Sequence, residues 1–144
     1  MATSIQVVFD CTDPTRLAKF WATALNYQEQ EPPSGYSTWE TFLKAQRVPQ
    51  EEWNDASAIV DPKKLGPRIY FQRMATPKAR KNRVHLDLNV SGGGNTPPRE
   101  RMKRVDAEVD RLLRVGATKQ KAWEERGQYW VVMLDPEGNE FCVQ

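Results

Sequence analysis

Apolar positions along the chain switch between a period of two and a period near 3.6. IQVVFDC (5–11) is rich in β-formers and reads as a strand. Asp13 followed by Pro14 is a helix start, an N-cap carboxylate with proline at the first helical position. Leu17, Phe20, Trp21, Ala24 and Leu25 then fall on one face of a helix that ends near Asn26. QEQEPPSGY is polar at first and then breaks at Pro-Pro-Ser-Gly. Ser37 stands three residues before Glu40, the spacing of a capping box, and predicts a short helix through about Ala45. TWETFL is also rich in β-formers, so a strand is the alternative there. A second short helix is predicted from Pro49 in PQEEW.

Ala56 to Val60 and Arg68 to Met74 read as strands around an Asp61-Pro62…Gly66 turn, and RVHLDLNV (83–90) as the next strand. SGGGNTPP is a flexible connector that contains Gly92, Gly93 and Gly94. Thr96 is the predicted cap of a long helix whose buried stripe is Met102, Val105, Val109, Leu112 and Leu113. Glu100→Arg104 and Asp110→Arg114 are i,i+4 pairs on its wet side, and Gly116 stops it. Three strands follow, at about 118–124, 129–134 and 139–144.

Cut near residue 80, each half reads strand, helix, then up to three strands. VDP…G…RIYFQ in the first half lines up with LDPEGNEFCVQ in the second, and Gln6 lines up with His85. The repeated Asp-Pro…Gly phrase is therefore the last hairpin of each of two βαβββ units, about 4–76 and 82–144.

At 144 residues the chain is long enough to bury a core without disulfides, and one domain is expected. Cys11 and Cys142 are too few for a disulfide framework and read as reduced thiols. A net charge of +2 gives no bulk electrostatic case for nucleic acid. Arg73, Lys78, Arg80, Lys81 and Arg83 form a basic run that reads as a solvated crossover between the units. No apolar run approaches the ~18 residues of a membrane span. MATSIQ lacks the basic and apolar regions of a signal peptide, so the expected location is cytoplasmic.

VVFDCTDPTRLAKFW, IVDP…GPRIYFQRM, KNRVHLDL and VVMLDPEGNEFCVQ, in that order over nearly the whole chain, resemble the vicinal oxygen chelate superfamily and its glyoxalase-like branch. The resemblance implies an α+β fold in which the curved sheets of two tandem βαβββ units form a shared cavity for a small-molecule ligand. It also implies a homodimer. The superfamily holds glyoxalase I, extradiol dioxygenases, fosfomycin-modifying enzymes, an epimerase and bleomycin-sequestering proteins, and the last are not enzymes.

Metal-dependent members carry ligands on the first and last strand of each unit. Mapped here, those positions are Gln6, His85, Cys142 and either Gln72 or Tyr70, depending on the turn register. That set holds no carboxylate, so no cofactor is assigned and a divalent metal remains the alternative. Asp87 or Asp10, on the parity of the mapped positions, would supply the missing charge. True glyoxalase I or dioxygenase chemistry is disfavoured on the same ground. A lyase or isomerase acting on a small carbonyl or oxygenated metabolite stands beside non-catalytic sequestration of the bleomycin-resistance type.

His85, the one histidine, is the candidate base or ligand, and Asp87 shares its face two residues on. The plain alternatives are a hydrogen-bonded strand histidine and an Asp87 paired with Arg83 or Asn82. Trp39 and Trp53 lie in the 37–54 insert, where they would stack on a flat ligand or simply hold the insert down. Trp123 and Trp130 flank a hairpin turn at 124–127, and one of them is expected to line a cavity.

Overall fold

A parallel strand pair closes each half of the chain. The computed structural model describes residue 2, residues 4–92 and residues 94–144, so Gly93 of the predicted connector lies outside the described residues. The chain divides into two units, Met1–Pro77 and Lys78–Gln144.

The first unit runs β1 (Gln6–Cys11), α1 (Pro14–Leu25), β2 (Gln28–Glu29), α2 (Trp39–Ala45), a 3-10 turn at Gln50–Glu52, β3 (Ala56–Val60) and β4 (Arg68–Arg73). Its sheet has the order β1-β4-β3-β2, with β1 parallel to β4 and the other pairs antiparallel. The second unit runs β5 (Asp87–Leu88), α3 (Pro98–Arg114), β6 (Thr118–Glu125), β7 (Gln128–Leu134) and β8 (Glu140–Val143). Its order is β5-β8-β7-β6, again with only the first pair parallel. These are two βαβββ units of one topology in an α+β fold, and neither sheet closes into a barrel.

In each unit the helix covers one face of its sheet. Leu17, Trp21 and Ala24 of α1 are buried, as are Ile59, Ile69 and Phe71 of the sheet. Val105, Val109 and Leu112 of α3 are buried, as are Val131, Met133, Phe141 and Val143. Strand side chains alternate, so the residues between these point to the face the helix leaves open.

Both Asp-Pro…Gly turns are held in the same way. Asp61 Oδ1 accepts from Lys63 N at 2.9 Å, and its Oδ2 from Leu65 N and Gly66 N at 3.0 and 2.8 Å. Asp135 Oδ1 accepts from Glu137 N at 2.9 Å and Asn139 N at 3.0 Å. A carboxylate that gathers N–H groups two and four residues on replaces backbone pairing where the chain reverses. These N–H groups, Lys63 first and Gly66 next, hold the Asp61 carboxyl below its ordinary value.

Several boundaries differ from expectation. Thr38, not Ser37, caps α2, through a reciprocal box with Thr41. The threonine hydroxyl fills the role that the Glu40 spacing suggested. β2 appears where only a polar break was read, because two residues suffice to pair with Val60 and Ile59. Thr96 donates to Gly92 O at 3.0 Å, so α3 starts at Pro98 behind Pro97 with no side-chain cap. The predicted strand at 83–90 is regular only at Asp87–Leu88. Asn82, upstream of it, is drawn to Glu140 instead, through its N–H at 2.8 Å and its amide at 3.3 Å. Glu100–Arg104 forms at 3.2 Å. Asp110–Arg114 is not among the ion pairs of the described residues. Leu113 is 41% exposed and does not belong to the α3 stripe, whereas Leu112 is 0% exposed.

Substituting these neighbouring leucines therefore separates core from surface. Leu112→Ala is expected to cost about 2–5 kcal/mol, and Leu113→Ala under about 1 kcal/mol. Urea unfolding of the two variants checks this, and equal losses would refute the assigned stripe.

Candidate functional site

The open face of the first sheet carries Gln6, Val8 and Asp10 beside Arg68, Tyr70 and Gln72, which pair in that order across β1 and β4. Gln72 donates to Asp10 Oδ1 at 2.8 Å. Arg68 Nη1 donates to Gln6 Oε1 at 2.6 Å, and its Nε to Gln30 Oε1 at 2.6 Å. The Arg68 guanidinium carbon stands 5.3 Å from the centre of the Tyr70 ring. No carboxylate pairs with Arg68 among the described residues.

The 37–54 insert borders the same face. A cavity of about 450 Å³ is lined by Trp39 and Leu43 of α2, Trp53, Ala58 of β3, and Arg68 and Tyr70 of β4. Both indole N–H groups are satisfied by backbone: Trp39 Nε1 donates to Gln30 O at 2.7 Å and Trp53 Nε1 to Val48 O at 3.0 Å. The rings are thereby fixed in place with apolar surface to offer. Tyr36 and Trp39 each pack edge-on against Phe42, with centroids 5.1 and 5.8 Å away. Asn54 ties the insert to the start of α1. Its amide donates to Asp13 Oδ1 at 2.9 Å, and its oxygen accepts from Thr15 N at 2.9 Å and Thr15 Oγ1 at 2.6 Å. That amide, followed by Arg16 N–H, lowers the Asp13 carboxyl below its ordinary value.

In the second unit His85, Asp87 and Cys142 come together, with one potential ligand atom from each lying within 4.8 Å of the others. His85 Nε2 is 3.2 Å from Asp87 Oδ1, and Asp87 is the ladder partner of Cys142. Asp87 thus takes His85, and not Arg83 or Asn82, as its neighbour. Burial first, then the charge of Asp87 and a hydrogen bond to it, push the Cys142 thiol up. A protonated thiol is no nucleophile at neutral pH. Imidazole, carboxylate and sulfur form a donor set that suits zinc better than magnesium or calcium once the thiol ionises. Asp87 provides the carboxylate absent from the mapped four.

The registers also align the two units. With Gln6 matched to His85, Val8 matches Asp87, and their ladder partners Tyr70 and Cys142 correspond. Tyr70, rather than Gln72, is therefore the counterpart of Cys142. Trp130 lines a separate polar cavity of about 210 Å³ with Arg101 and Gln144. Trp123 lines neither cavity. It stacks on Trp130 at 6.3 Å, with the Lys121 ammonium 3.7 Å from its ring centre. Cys11 is buried, and its Sγ lies 3.6 Å from Gln72 O.

Arg68 was not singled out from sequence. Its signal was present, since it stands two residues before Tyr70 on one strand and so shares its face. What the sequence lacked was the pairing that brings Gln6 and Gln30 to the guanidinium.

The model of the glyoxalase-like domain family matches residues 6–144, and the chain belongs to that family. No curated protein matches it by sequence. Among solved structures it is similar to a glyoxalase/bleomycin resistance protein/dioxygenase family enzyme from Burkholderia phytofirmans, at 19% identity and TM-score 0.60, with 96% of this chain and 94% of that one covered. The fosfomycin resistance protein FosX from Mesorhizobium loti matches at 9% identity and TM-score 0.63, covering 100% and 91%. A possible glyoxalase from Bacillus cereus matches at 11% identity and TM-score 0.61, covering 100% and 99%. At these identities the likeness establishes the fold. Among the described residues no helix is long and apolar enough to cross a membrane.

The Asp87 carboxylate makes Cys142 less acidic, so neutralising it is expected to speed alkylation. Asp87→Asn should raise the rate of Cys142 modification by iodoacetamide at pH 8 roughly two- to tenfold. Peptide mass spectrometry against time checks this, and a slower reaction in the variant would contradict the assigned contact.

Proposed function

We propose that this glyoxalase-like protein binds a small, flat organic molecule in the cavity beneath the insert of its first unit. One observation carries the reading: Trp39, Trp53 and Tyr70 reach a single space of about 450 Å³ from three separate elements. That volume lies within the range of small-molecule sites, and mostly apolar walls with few polar groups are their usual composition. Sequestration in the manner of a bleomycin-resistance protein needs no more than this.

A second reading is favoured by the His85–Asp87 contact. The imidazole, with Asp87 beside it at 3.2 Å, would take a proton next to a carbonyl of an oxygenated substrate, as a lyase or isomerase requires. Asp87 would orient the ring and stabilise its charged form. Were a zinc-type ion bound, His85, Asp87 and Cys142 would hold it, the imidazole would serve as ligand in place of base, and the ion would polarise a substrate oxygen.

Thermal shift with two-ring aromatic compounds tests the binding reading. A ligand at 100 times its Kd is expected to stabilise the protein by about 2.7 kcal/mol, and the Trp39→Ala/Trp53→Ala double variant should lose most of that shift. If no compound in the set moves the melting temperature, or if the double variant responds like the parent, the reading is withdrawn.

A further inference from the structure

Six lysines and arginines pair with a carboxylate among the described residues, and Arg68 is not one of them. Lys78 pairs with Glu140 at 3.2 Å, Arg111 with Glu108 at 2.6 Å and Lys44 with Glu40 at 2.7 Å. Arg68 is half-buried and lines the aromatic cavity, yet its two recorded partners are the neutral amide oxygens of Gln6 and Gln30. These fix the plane of the guanidinium without cancelling its charge. Among the described residues nothing engages Nη2. A planar donor, oriented beforehand and left unneutralised beside apolar walls, is the arrangement that recognises a carboxylate.

The other charges around the cavity set the charge of the anion. Asp55 already faces Arg73 at 3.5 Å. Glu29 also lines the cavity, but no hydrogen bond or ion pair joins it to Arg68 among the described residues. Glu52 is exposed in the 3-10 turn. One cation held by neutral amides, with three carboxylates also on the cavity wall, suits a monoanion and penalises a dianion. A cationic guest fits poorly, because the faces of two of the three rings already carry a cation: Arg68 over Tyr70 at 5.3 Å and Lys44 over Trp53 at 5.6 Å.

We propose that Arg68 is the specificity-determining residue of this cavity and that its ligand class is the planar aromatic monocarboxylates. The ring lies against Trp39 and Trp53, and the carboxylate takes the free edge of the guanidinium. This rests on the binding reading above and adds the ligand's charge to it.

The test uses three probes of one shape: 2-naphthoate, 2-naphthamide and 2-naphthylmethylammonium, titrated against the full chain by tryptophan fluorescence. The naphthoate is expected to bind at least about tenfold more tightly than the amide, and the ammonium compound more weakly still. Arg68→Met should bring naphthoate and naphthamide to within about threefold of each other. Gln6→Glu, which sets a carboxylate against Nη1 with little change of shape, should do the same. The comparison of probes on the unaltered protein stands even if a variant fails to fold. If naphthoate and naphthamide bind equally, or the ammonium compound binds best, the Arg68 assignment is overturned while the cavity reading survives. If none of the three binds, the cavity reading falls and this one with it. Retention of the tenfold preference in a folded Arg68→Met variant would also overturn it.

Discussion

The parallel pairing of first and last strand within each unit is the constraint on which the rest depends. Parallel neighbours cannot be joined by a tight turn, so the chain must cross over through a helix, which then lies on one face of the sheet. Once α1 or α3 takes that face, strand alternation sends every second residue of the paired strands to the other. The side chains with chemistry to offer therefore arrive in rows: Gln6 and Asp10 against Arg68 and Gln72, Asp87 against Cys142. The two aspartate-held turns, at Asp61 and Asp135, set the register of these rows by fixing where the last hairpin reverses. A one-residue slip would turn each row into the core.

One frame has thus been filled with two chemistries. Position for position, the first unit offers an amide, a valine and a tyrosine where the second offers an imidazole, a carboxylate and a thiol. The first unit also carries an insert between β2 and β3, and its tryptophans make a sheet face into a cavity. The second unit has no such insert, and its three polar groups gather close to one another with His85 and Asp87 exposed. The binding apparatus of unit one and the proton-transfer candidates of unit two follow from side-chain choice and one loop, not from any difference in topology.

Much of this was legible in the residues. The duplication showed in the repeated Asp-Pro…Gly phrase because the turn needs a carboxylate at a fixed distance from the N–H groups it gathers. α1 was readable from Asp13-Pro14 and its apolar face, because capping and periodicity agree there. What escaped depended on contacts distant in sequence. Thr96 looked like a cap, but Gly92 O competes for its hydroxyl. The 83–90 run has a strand's composition, yet Glu140 draws Asn82 aside before the ladder begins. Asp87 was seen to share a face with His85, but its contact with Cys142 needed the β5–β8 register. Arg68 was passed over because its meaning lies in Gln6, 62 positions away, and Gln30, 38 away.

The choice of amides around Arg68 bears on why a protein would hold a charge in this way. A half-buried guanidinium paired with a carboxylate is neutralised, and an incoming anion must displace its partner or go without. Glutamine oxygens satisfy the donors that would otherwise stay unpaired and keep the plane fixed, while leaving the charge to be met. The cost is a folded state that carries unpaired charge beside apolar walls. A half-buried charge held this way where aromatic walls converge is organised for a guest. The same geometry explains why Tyr70 belongs there: its ring supports the guanidinium from one face and leaves the edge free to donate.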